Sequence, residues 1–243
     1  MLRKRITIAA VFSALLALLA FRQAPATSDI SALDDFRHVE AASVADAMEQ
    51  LYGKRAYMSH DMRPLAQTKF SGPAVTVLMK PEENTDGARA IQGALDAIDE
   101  APAGSVYVMS LENGLDFAGI GGLMTTAMKY RSLAGAVVDG SVRDTAQIAR
   151  LQFPVFSRGI VPSTTVNHYR FAGKNIAINC AGVEIRPADI IVADMDGVVV
   201  VPREHAAEVL KRAQELDNSE HSMYPFIEKY KSIRQAVAKF GRI

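Results

Sequence analysis

The chain has 243 residues, 27 basic and 27 acidic side chains, an apolar fraction of 49% and one cysteine. The even charge and the lack of a Lys/Arg block exclude a nucleic-acid surface built on a basic stripe, and a lone cysteine excludes an internal disulfide. Length and apolar content suit one compact domain with a sizeable core.

At the N-terminus, Arg3, Lys4 and Arg5 precede an almost uninterrupted apolar run from Ile6 to Phe21, and Ala24-Pro25-Ala26 closes it before Thr27-Ser28-Asp29 turns polar. This is the layout of a secretory signal peptide over residues 1–26, cleaved after Ala26, which places the folded part in the periplasm or outside the cell. The other reading is an uncleaved anchor, but the run is short of the roughly 20 residues of a span. No membrane association is therefore expected after cleavage. Loss of the segment removes four basic residues and leaves 23 against 27 acidic, a net charge of −4. Residues 27–35 read as a linker and 36–243 as the domain.

Ser43-Val44-Ala45-Asp46 resembles a capping box, and Val44, Ala47, Met48 and Leu51 follow at helical spacing until Gly53. Phe70 to Met79 reads as a buried strand. A helix is predicted over 84–99, with Ala88, Ile91, Ala94, Leu95 and Ile98 on its apolar face. The strand 105–110 comes next, then a helix over 124–133, a strand over 135–139, a helix over 145–151 and a strand over 154–157. Short strands are expected at 175–179, 183–186, 190–193 and 198–201, punctuated by Gly182, Pro187 and Asp196-Gly197. Cys180 lies in this β-rich part and reads as a small buried residue. Pro202 opens a helix to about Leu216, and 222–239 forms another. Alternating α and β followed by a β-rich section predicts a single mixed α/β domain.

The chemistry concentrates between Gly121 and Asp144. Gly121 and Gly122 precede an apolar-periodic helix, so backbone there can approach a ligand closely, and the first N–H groups of that helix have no intrahelical partner. A plain tight turn is the competing reading. Arg143-Asp144 follow the apolar strand Ala136-Val137-Val138 through Asp139-Gly140, at the carboxyl end where α/β folds open their crevices. Arginine grips carboxylates through paired hydrogen bonds. Asp144 can serve as a helix N-cap or as the single carboxylate that seeds a Mg²⁺ site. No histidine shows metal-ligand spacing, and Asp194 and Asp196 read as turn residues.

Gly121-Gly122-Leu123-Met124, Val138 to Asp144, Phe153 to Gly159 and Ala188 to Val198, together with Ser43 to Met48 and Ser71 to Val77, resemble in order and spacing the RraA-like family. That family includes class II 4-hydroxy-4-methyl-2-oxoglutarate/4-carboxy-4-hydroxy-2-oxoadipate aldolases. The resemblance covers about residues 36–210. It implies a swivelling β/β/α domain assembled as a homotrimer or homohexamer with sites between subunits. It further implies that Arg143 holds the carboxylate of a small 2-oxo acid, that Asp144 ligates Mg²⁺ or Mn²⁺, and that the backbone of Gly121, Gly122, Leu123 and Met124 contacts substrate. Arg143 and Asp144 are then the catalytic pair of a lyase releasing pyruvate, by aldol cleavage or by decarboxylation of oxaloacetate.

One departure matters. The aldolase turn carries an acid 21 residues before the arginine, and here that position is Gly122. Glu112 and Asp116 stand just before the turn as substitutes, and Glu208, Glu215 and Glu220 are candidates for a carboxylate reaching a neighbouring subunit. The alternative function is a non-catalytic regulatory or ligand-binding protein, since the family also contains ribonuclease-E inhibitors. A methyltransferase reading has no support, because no glycine-rich cofactor loop with a ribose-binding acid is present.

Overall fold

The computed structural model describes residues 35–241. The expected signal peptide, and all of the expected linker but Asp35, lie outside the described residues. Asp35–His38 form a 3₁₀ turn that buries Phe36.

Helix α1 (Ala41–Tyr52) buries Val44, Ala47 and Met48 and stops at Gly53, whose left-handed backbone (φ 63°) returns an N–H to the Glu49 carbonyl. The capping box expected at Ser43 does not form. The helix starts two residues earlier, and the Ser43 hydroxyl lies inside it, directed at Asp217 3.4 Å away. The first helical N–H, that of Ala41, is instead satisfied by the buried carboxylate of Asp194, at 2.7 Å. A distant chain segment thus does the capping.

Strand β1 (Arg63–Pro64) is short, and β2 (Phe70–Pro81) is the long buried strand expected. The helix predicted over 84–99 resolves into a 3₁₀ turn (Gly87–Ile91) and helix α2 (Gln92–Glu100). Then come β3 (Val106–Leu111), β4 (Ala118–Ile120), α3 (Gly122–Tyr130), β5 (Gly135–Val142), α4 (Thr145–Leu151), β6 (Val155–Ile160) and β7 (Tyr169–Lys174). Neither β4 nor β7 is evident from the sequence. The hairpin β8 (Ile178–Cys180) and β9 (Val183–Ile185) precedes the pair β10 (Ile190–Asp194) and β11 (Gly197–Val201). Helix α5 (Ala206–Tyr230) follows, then α6 (Ile233–Phe240). The break predicted near residue 216 is absent. The helix runs through Pro225 because Leu216 and Met223 keep its inner face buried.

Strands β2, β3, β5 and β6 run parallel in the order β6-β5-β3-β2, and β4 adds to β5 in parallel. Antiparallel β10 and β11 extend the sheet beyond β2, β7 pairs with the distal half of β2, and β1 pairs with β6. The result is a mixed α/β domain around one large mixed sheet. One core joins the sheet to α2, α3 and α4 through Ile98, Met109, Met128, Val138 and Ile148. A second packs α1 and α5 on β10 and β11 through Met48, Val192, Val199 and Val209. The opposite sheet face meets β8 and β9 around Phe70, Val137, Phe156 and Cys180. Cys180 is fully buried, and burial pushes its thiol well above the ordinary range, as suits a packing residue.

Candidate functional site

The pairing of β4 with β5 builds the site. Ala118 lies opposite Ser141 and Ile120 opposite Val142, and the Arg143 N–H donates to the Ile120 carbonyl at 3.1 Å. Both strands therefore end side by side. The Gly121–Met124 turn, leaving β4, meets Arg143 and Asp144, leaving β5.

Asp144 adopts a left-handed backbone (φ 57°, ψ 37°) at the start of α4, a conformation that Asp tolerates better than most side chains. It occupies the N-cap position of α4 yet makes no side-chain cap there. Its Oδ2 instead accepts the Gly122 N–H at 2.8 Å, at the first turn of α3. Gly121 permits this approach, since a Cβ on it would stand 2.7 Å from that same Oδ2 and 3.1 Å from Arg143 Cγ. The glycine at 121 thus lets Asp144 and Arg143 keep these positions, which a Cβ would force them to leave. Gly122 is less constrained: a Cβ there would sit 3.1 Å from Gln147 Cγ and 3.3 Å from Asp144 Cβ.

Arg143 Nε lies 3.8 Å from Asp144 Oδ2, and both side chains remain about half exposed, at 42% and 50%. The guanidinium is steered by one more contact, Nη1 donating to the Ser163 carbonyl at 3.1 Å. Asp144 Oδ1 accepts no hydrogen bond among the described residues. The pair therefore presents guanidinium N–H groups and one free carboxylate oxygen to solvent. Leu123, 89% exposed, and Ile160, 61% exposed, flank them, with Ile160 opposite Val142 in the sheet. Met124 packs partly against the core and Met128 is buried in it. The site is an open surface. A cavity of about 580 Å³ is lined by Thr145, Ile148 and Ala149 of α4 but by neither Arg143 nor Asp144.

Among the described residues no group of three or more His, Cys, Asp or Glu side chains converges as a metal cage. The donor set at Asp144 is one hard, solvent-facing carboxylate. That suits Mg²⁺ or Mn²⁺, which keep several waters and take remaining oxygens from a ligand.

The glutamates raised by the sequence have side-chain partners within the chain, whereas Asp116 is held only through its backbone carbonyl. Glu112 faces Lys80 at 3.6 Å and its carbonyl takes the Tyr169 hydroxyl. Glu208 accepts from Tyr52 at 2.6 Å, which pushes the Tyr52 pKa up to about 12. Glu215 pairs with Arg212 and Glu220 accepts from Tyr224. Asp116 is held through its carbonyl by the Ser163 hydroxyl at 2.6 Å. On β5, four residues before Arg143, Asp139 shares Arg158 with Asp61, at 3.0 Å and 2.7 Å. Hydrogen bonding to Arg158 holds the Asp61 carboxyl below its usual range. Ser163 escaped the sequence reading, because a contact made through a backbone carbonyl leaves no mark in residue type.

Comparison with known proteins identifies the family of the chain. The RraA-like model, described as Aldolase/RraA, matches residues 41–200. A protein of Halalkalibacterium halodurans named "Putative 4-hydroxy-4-methyl-2-oxoglutarate aldolase" is 32% identical over 191 residues, spanning 77% of this chain and 84% of that protein. Protein DlpA of Legionella pneumophila is 30% identical over 205 residues, spanning 84% of this chain but only 33% of its own length. The crystal structure of an uncharacterized protein from Pseudomonas syringae pv. tomato superposes with a TM-score of 0.76 at 29% identity, covering 85% of this chain and 96% of that one. The chain belongs to the Aldolase/RraA family.

Proposed function

We propose that this protein is a divalent-metal-dependent lyase that cleaves a carbon–carbon bond of a small 2-oxo acid and releases pyruvate. The observation that carries the reading is the convergence of Arg143 and Asp144 on the N-terminus of α3, with a free carboxylate oxygen beside guanidinium donors. Arg143 binds and orients the substrate carboxylate. Asp144 holds the cation, Mg²⁺ or Mn²⁺, and the turn from Gly121 to Met124 offers backbone close to the ligand. When bound, the cation supplies Lewis-acid stabilisation of the negative charge that develops at the breaking bond. The exposed Leu123 and Ile160 beside the open site support a trimer or hexamer in which a second copy closes it.

Within that chemistry, decarboxylation of a substrate such as oxaloacetate suits this chain better than aldol cleavage. Aldol cleavage must remove the proton of a tertiary hydroxyl, and position 122 provides no carboxylate to take it. Loss of a positioned base removes about 10²–10⁴-fold of rate. Decarboxylation releases CO₂ and needs only a later proton, which solvent supplies. A second reading follows from the same glycine: a ligand-binding or regulatory protein that holds an oxo acid without turning it over.

The test is pyruvate formation from oxaloacetate with Mg²⁺ or Mn²⁺, paired with calorimetric binding of oxalate. Metal-dependent turnover above the metal-only rate supports the lyase. Oxalate binding without turnover selects the ligand-binding reading, and loss of both overturns the site itself.

A further inference from the structure

The loop from Val161 to His168 is tied down at both ends. The Val161 N–H donates to the carbonyl of Val142, the residue before Arg143. At the far end, the Asn167 and His168 carbonyls accept from Asn84 and Glu82. Between these anchors, Ser163 makes two contacts that point in different directions. Its hydroxyl donates to the Asp116 carbonyl at 2.6 Å, and its own carbonyl accepts Arg143 Nη1 at 3.1 Å.

The 112–117 loop on which the Ser163 hydroxyl rests is itself secured. Its Leu115 carbonyl accepts from the Ser141 hydroxyl, its Glu112 carbonyl from the Tyr169 hydroxyl, and Phe117 packs its ring on His168 and Tyr169. The Ser163 hydroxyl is thus fastened to a fixed point, and the peptide plane that receives Arg143 inherits that orientation. A long arginine side chain that is 42% exposed would otherwise sample several rotamers, and ordering it on binding opposes affinity.

We propose that Ser163 is the positioning residue of the carboxylate-binding site. Its hydroxyl locks the 163 carbonyl, and that carbonyl draws one Nη1 proton of Arg143, so that the guanidinium is aimed before any ligand arrives. In this role Ser163 acts through Arg143 and not on the ligand itself. The inference rests on the reading of Arg143 as the group that binds the substrate carboxylate, and it extends that reading to how the group is preorganised.

The test compares Ser163→Ala and Ser163→Thr in the full chain. Ser163→Ala is expected to weaken oxalate binding in the presence of Mn²⁺ by about 5–10-fold and to raise KM for oxaloacetate by a similar factor, with kcat changed less than about 2-fold. Ser163→Thr, which keeps the hydroxyl, is expected to restore most of both. In the ligand-free protein, the Arg143 Nε–Hε order parameter measured by NMR is expected to fall in the alanine variant and to hold in the threonine variant. An alanine variant that leaves that order parameter unchanged overturns the proposal. So does equal damage from both substitutions, which would mark the position as packing alone. If wild type binds no oxalate, the functional reading of Arg143 fails, and the order parameter still decides the role of Ser163.

Discussion

The Asp144 carboxylate caps the helix it does not begin. Its Oδ2 takes the Gly122 N–H at 2.8 Å, across the junction of β4 and β5, while its own helix α4 starts without a side-chain cap. One oxygen therefore serves the fold and the other is left for chemistry. Substitution separates the two roles. Asp144→Asn keeps an acceptor for Gly122 and loses the charge, whereas Asp144→Ala loses both. Asp144→Asn is expected to hold Tm within about 2 °C and to abolish Mn²⁺ binding, while Asp144→Ala also lowers stability by about 1 kcal/mol, or roughly 2–4 °C. Thermal melts with Mn²⁺ titration check both arms.

Gly121 is read through the same oxygen. A methyl group there would lie 2.7 Å from Asp144 Oδ2 and 3.1 Å from Arg143 Cγ, both atoms of half-exposed side chains. Gly121→Ala is expected to displace the carboxylate from the Gly122 N–H and to lower stability by about 1 kcal/mol, the cost of that lost cap. Urea unfolding at neutral pH, with the Gly122 amide resonance as a local reporter, measures the two consequences together.

Arg143 offers a sharper functional test than deletion. Lysine at this position keeps the charge but loses the planar fork and the Nη1 contact to the Ser163 carbonyl. Arg143→Lys is expected to raise KM for oxaloacetate by about 10–100-fold, corresponding to the loss of a charge-assisted hydrogen bond, with Mn²⁺ affinity little changed. Steady-state kinetics beside metal titration distinguishes this from damage to the metal arm.

How much of this was legible before folding depends on the range of each contact. The helix at 145–151 and the buried strand from 70 follow from local pattern, whereas the approach of the Gly121–Met124 turn to Arg143 and Asp144 rests on the pairing of β4 with β5. Strand β4 is three residues, Ala118-Gly119-Ile120, too short to show a period, and only its parallel pairing with β5 makes it a strand. The cap on α1 comes from Asp194, 153 residues away, so the local signal at Ser43 points to the wrong start. Likewise, nothing near Asp144 in sequence tells that it caps α3 rather than α4. The helix predicted over 222–239 is divided instead: its first part, Pro225 included, belongs to α5, which ends at Tyr230 with Lys231 in the left-handed region, and the Phe226–Phe240 contact packs α6 back on it.

The cluster of Arg158 with Asp61 and Asp139 gives a pH-dependent prediction. Arg158 bonds Asp61 and Asp139 at 2.7 Å and 3.0 Å, all three partly exposed, and Asp139 Oδ2 also accepts the Ala181 N–H. Arg158→Leu leaves two carboxylates without their shared cation and is expected to lower stability by about 1–2 kcal/mol at neutral pH, after allowance for solvent screening. Because hydrogen bonding to Arg158 depresses the folded-state Asp61 pKa, this contribution is complete above the unfolded value of about 3.9 and is lost as pH falls through the lower folded value. The gap between wild type and variant should therefore stay constant from about pH 7 to about pH 5 and narrow below about pH 4. Urea midpoints across that range test it. A gap that widens in acid would mean that Arg158 acts through something other than its carboxylate partners.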